Sequence, residues 1–125
     1  MKKRLAILIW AATPERPELC ATPFVHATAA AALDVEVEIH FAGRAARLLV
    51  AGVAEGLRPT PGEAKSAYAY MREAAFLGVR FVGCCMALAG NTAEGETYIP
   101  EYQGTATATL WVQRCLDPEW ATLVY

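Results

Sequence analysis

Leu5-Ala6-Ile7-Leu8-Ile9-Trp10 is an unbroken apolar run with no polar alternation. That is the pattern of a strand covered on both faces, as at the centre of a parallel sheet. Lys2-Lys3-Arg4 ahead of it imitates the start of a signal peptide. The run is short, however, and Thr13-Pro14-Glu15-Arg16 stands where small cleavage-site residues would be needed, so it reads as a first strand. A proline-bearing loop follows, and Thr22-Pro23 then predicts a helix to about Leu33, with threonine as N-cap and proline in the first turn.

Further along, Val35-Glu36-Val37-Glu38-Ile39-His40-Phe41 alternates without a miss. Val35, Val37, Ile39 and Phe41 fall on one face, and Glu36, Glu38 and His40 on the other, which predicts a strand near the sheet edge. Ala46, Leu49, Val50 and Val53 suggest a short helix closed by Gly56 and Pro59. Thr60-Pro61-Gly62-Glu63 has the form of a capping box, ahead of an apolar stripe through Ala67, Met71 and Ala74 that ends at Gly78. Val79 to Gly83 is the next buried strand and runs directly into Cys84-Cys85-Met86. The stretch from Thr105 to Cys115 is expected to be helical, although its Thr-Ala alternation also suits a strand, and Ala121 to Tyr125 forms a last strand.

Strands alternating with helices predict one α/β domain over residues 1–125, flavodoxin-like, with a mostly parallel sheet of about five strands and helices on both faces. At 55% hydrophobic and 19% charged residues, the surface left for water is thin, which points to a subunit interface. A net charge of −2 with scattered basic residues lacks the footprint of nucleic-acid binding, and no apolar run is long enough to predict a membrane span. Sequences typical of dinucleotide, triphosphate or serine-hydrolase sites are absent, and no cofactor or metal is expected. Cys20, Cys84, Cys85 and Cys115 are expected to be free thiols in a reducing cytoplasm.

Among these, Cys84 and Cys85 are the candidate catalytic residues. A cysteine between a strand end and a helix start meets unpaired backbone N–H groups and the positive end of the helix dipole, both of which favour thiolate. The competing reading is that strand cysteines fill the core as small hydrophobes. Adjacent strand residues point to opposite sides, so one thiol can be buried while its neighbour opens to the rim. Cys20, on the loop after the first strand, is expected on that same rim. His26 and His40 read as polar partners rather than catalytic groups, and Tyr98 and Tyr102 as packing residues.

Gly78-Val79-Arg80-Phe81-Val82-Gly83-Cys84-Cys85-Met86-Ala87, then Tyr102-Gln103-Gly104-Thr105-Ala106-Thr107 and the terminal Trp120 to Tyr125 segment, resembles the DsrE-like (DsrE/DsrF/TusD) sulfur-relay family, especially its DsrE2-type, peroxiredoxin-like branch. The resemblance implies a flavodoxin-like fold, assembly into homo-oligomers such as trimers or hexamers, and a cysteine that exchanges sulfur as persulfide with donor or acceptor proteins. The Cys-x-Met motif of that branch falls on Cys84 and Met86, whereas the TusD-like register selects Cys85. After Met86 the sequence departs from the branch, with Ala87-Leu88-Ala89-Gly90 in place of polar and acidic residues. Two other readings stand beside sulfur relay. One is a structural or regulatory subunit with inert cysteines, and the other is a thiol peroxidase with Cys20 as the resolving thiol.

Overall fold

The computed structural model describes residues 1–125, and its central element is the strand that the alternation placed near an edge. The sheet holds five parallel strands: β1 (Arg4–Ile9), β2 (Glu36–Phe41), β3 (Arg80–Cys84), β4 (Tyr102–Ala106) and β5 (Trp120–Val124). Their order is β4-β3-β2-β1-β5, so β2 lies in the middle, hydrogen-bonded to β1 on one side and β3 on the other. The edge assignment is therefore corrected. Glu38 and His40 are only 2% and 3% exposed. Their alternation marks not a solvated face but a buried polar one.

Register sorts the side chains into two layers. Leu5, Ile7 and Ile9 of β1 pair with Val37, Ile39 and Phe41 of β2, and Phe81 and Gly83 of β3 continue the same face. Helix α1 (Thr22–Ala32) closes it with Phe24, stacked on Phe41 and tilted against Phe81. Met71 and Ala74 of α2 (Ala67–Phe76) and Ala87 and Leu88 of α3 (Cys85–Asn91) complete this apolar core. A Cβ on Gly83 would lie 2.7 Å from the Cδ1 of Leu88, so the missing side chain is what lets α3 fold back tightly against its own strand.

The second face carries Ala6 and Leu8 of β1, Glu38 and His40 of β2, Arg80, Val82 and Cys84 of β3, and Thr122 and Val124 of β5. It is met by α4 (Ala108–Leu116), whose Trp111 ring sits edge-on to His40 and whose Arg114 reaches Glu38.

Local signals were displaced in three places. Helix α2 begins six residues beyond the Thr60-Pro61 signal, with Ser66 as its N-cap accepting from the Ala69 N–H, while Thr60 to Lys65 stays outside helix. In α1 the cap falls on Ala21, and Thr22 and Pro23 are already helical. The segment expected as a short helix forms two 3-10 turns, Gly43–Leu49 and Ala54–Gly56. The ambiguous Thr-Ala stretch is both elements in succession: β4 ends at Ala106, and Thr107 caps α4 by accepting from the Leu110 N–H.

Candidate functional site

Because α3 packs on the first face and α4 on the second, the connections after β3 and β4 leave the sheet in opposite directions. The strand order itself reverses between β1 and β5, so the switch point of the sheet lies at their carboxyl ends, where Ala11, Ala12 and Tyr125 line a cleft of about 290 Å³. Cys84 is the last residue of β3 and pairs with Ala106, the last residue of β4. The sequence thus puts a thiol at the carboxyl end of β3, beside the edge strand β4.

Cys84 is partly buried and packs against the edge of the core, and its register places it on the second face with Val82. Cys85 begins α3 and is exposed, and Met86 beside it is 80% exposed. The two thiols therefore face different surroundings, one half-shielded and one open. The clefts lie elsewhere: one of about 770 Å³ is lined by residues at the end of α2 including Phe76 and Leu77, one of about 440 Å³ by Lys2, Lys3 and Glu119, and one of about 360 Å³ by Arg44, Arg47 and Asn91.

Cys20 does not join them. It is fully buried, its Sγ donates to the carbonyls of Thr13 and Arg16 at 3.4 and 3.5 Å, and burial, aided by the nearby Glu18 charge, pushes its thiol up to about 12. The expectation of Cys20 on the rim is corrected, and β2 separates β1 from β3, so the adjacency that a Cys20–Cys84 redox pair required is missing. Tyr98 and Tyr102 pack on each other with centroids 4.6 Å apart, and His26 shares a hydrogen bond with the Tyr125 hydroxyl.

The polar cluster beneath α4 went unread in the sequence. Glu38 Oε1 accepts from His40 Nε2 at 3.0 Å and from Arg114 Nε at 2.6 Å, and Oε2 accepts from Arg80 at 2.7 Å. Burial alone would raise the Glu38 carboxyl, but the hydrogen bonds from His40 and Arg114, together with their charge, outweigh it and hold the group at about 2. Arg114 also lies over the Trp120 ring, 4.2 Å from its centroid. The cluster's one legible trace was the pair Glu38 and His40 on a single face.

No family model matches the chain, and no curated protein matches it. Among solved structures, the ychN protein of E. coli matches with a TM-score of 0.69 over 100% of both chains, at 17% sequence identity. The chain shares the YchN fold. At this identity the likeness establishes architecture alone. The α/β class, the five-stranded parallel sheet and the helices on both faces agree with the sequence reading. No helix in this YchN-fold chain is long and apolar enough to cross a membrane.

Proposed function

We propose that the chain is a DsrE2-type sulfur carrier that accepts sulfur on Cys84 as a persulfide and passes it to a thiol of a partner protein. The observation that carries this reading is the position of Cys84, half-shielded at the carboxyl end of β3 with an exposed thiol and an exposed methionine beside it. Partial burial limits the access of small reductants to a bound persulfide, while an open rim admits a protein-borne thiol. The Cys-x-Met register selects Cys84, and Cys85 is the alternative acceptor. Four free cysteines suit a reducing cytoplasm.

The carrier works as a homo-oligomer, a trimer or hexamer. Helix α4 is more amphipathic than α1 or α2, yet none of its residues is fully buried, and Val112 and Leu116 stand exposed with Val124 of the adjoining strand. A second copy covering this face would bury them.

The same unpartnered face favours a second reading, a structural subunit whose cysteines are inert. Incubation with a persulfide donor followed by intact mass separates the two. The carrier gains one sulfur and Cys84→Ser does not, whereas a structural subunit gains none.

A further inference from the structure

The buried cluster under α4 stands on the same sheet face as Cys84, and nothing in the carrier reading uses it. Its orientation is fixed by hydrogen-bond chemistry. The Glu38 carboxylate is acceptor-only, so the His40 nitrogen 3.0 Å from it, Nε2, carries the proton. In the neutral ring Nδ1 is then the nitrogen with the lone pair. No buried side-chain nitrogen or oxygen lacks a partner, so Nδ1, which has none within the chain, reaches solvent.

The Nδ1 lone pair and the Nε2–H bond of an imidazole diverge, so Nδ1 is not engaged by the same carboxylate oxygen. On the neighbouring strand, and by register on the same face, stands Cys84: His40 is paired with Val82, and Cys84 is two residues further on toward the carboxyl end. Strand spacing puts the two α-carbons about 8 Å apart, a separation that side chains on one face span directly or across one water molecule.

We propose that His40, held in one tautomer by Glu38, is the proton acceptor for Cys84. This rests on the carrier reading for its purpose, though not for its test. The Cys84 thiol gives its proton to Nδ1. The thiolate then attacks the outer sulfur of a donor persulfide: the new Cys84 S–S bond forms as the donor S–S bond breaks, and the electron pair leaves with the donor's inner sulfur as thiolate. That thiolate takes the proton back from His40, so atoms, charge and electrons balance with no outside oxidant. Glu38 is a positioning residue and stays ionised throughout. His40 itself meets Glu38 from its own strand and the Trp111 ring from α4, while Arg80 from β3 and Arg114 from α4 share the Glu38 carboxylate with it.

The test is iodoacetamide labelling of Cys84 in a Cys85→Ser background, read by peptide mass spectrometry across pH. At pH about 7, His40→Gln should slow labelling roughly tenfold, and the difference should close by pH about 10, where a thiol ionises unaided. Equal rates at neutral pH would overturn the proposal. Should His40→Gln fail to fold, nitrogen NMR of the wild-type ring decides: an Nε2–H tautomer supports the assignment and an Nδ1–H tautomer overturns it. Loss of sulfur uptake with the labelling contrast intact would defeat only the carrier reading. Uptake with no contrast would defeat only the role of His40.

Discussion

Arg114 Nε donates to Glu38 Oε1 at 2.6 Å across 76 residues of sequence, tying the last helix to the central strand of the sheet. A carboxylate this deeply buried is tolerated because guanidinium and imidazole donors occupy both of its oxygens.

Glu38→Gln should therefore destabilise the fold by about 1–3 kcal/mol, since the bonds from His40, Arg80 and Arg114 lose their charged acceptor while the two guanidinium groups keep access to water. Urea unfolding at neutral pH measures it. A change within about 0.5 kcal/mol, as at an ordinary surface site, would show that the cluster does not hold α4 in place.

The same residue sets a pH window. With its carboxyl held at about 2 in the fold against an ordinary 4.5, Glu38 contributes its full stability above about pH 4.5 and loses it progressively as pH falls toward 2. Glu96, also held at about 2, first by its hydrogen bond from Arg47, titrates in the same window. The difference between wild type and Glu38→Gln isolates the first residue. Their stabilities should converge on acidification, and a constant gap down to pH about 2 would contradict the assignment.

Most of the fold was legible in the sequence because it is written in local patterns. Leu5 to Trp10 needs no partner to read as a buried strand, and Gly78 at φ 93 closes α2 as its position suggested. The failure at β2 has a physical cause: alternation reports which residues are polar, and whether they meet water depends on partners that arrive from Arg80 and Arg114, far along the chain. Similarly, Thr60-Pro61-Gly62-Glu63 has the chemistry of a capping box, but Ser66 stands directly before the helix and makes the cap bond. The cysteine pair was readable as a strand-end feature. Its place beside the edge strand β4 was not, since that depends on strand order.

Gly83→Ala should disturb the site from behind. The added methyl meets Leu88 Cδ1 at 2.7 Å and Cγ at 2.8 Å, so either Leu88 or the start of α3 must shift, costing about 1–3 kcal/mol. The double variant Gly83→Ala, Leu88→Ala removes this clash and should show a favourable coupling in a double-mutant cycle. Strict additivity would show that the close approach is not what the glycine serves.

Cys20 should be the last thiol to react in the native protein, since it is buried and its pKa is raised to about 12. Peptide mapping after brief alkylation should find Cys85 and Cys115 modified and Cys20 intact, and peroxide should yield no Cys20–Cys84 disulfide. Early labelling of Cys20 would show that the loop after β1 opens in solution.

Light scattering at micromolar concentration should give a multiple of 13.5 kDa, lowered by Leu116→Glu on the exposed face of α4. A 13.5 kDa species that persists as concentration rises would leave the apolar face of α4 bare and remove the oligomer from the account.

The central claim is that sulfur is carried on Cys84. Tandem mass spectrometry of the peptide spanning Cys84 and Cys85, after the wild-type protein has been loaded from a persulfide donor and its free thiols blocked, tests it most directly. The account predicts one added sulfur on Cys84, discharged by a second thiol. Sulfur found on Cys85 alone, or on neither residue, would contradict it.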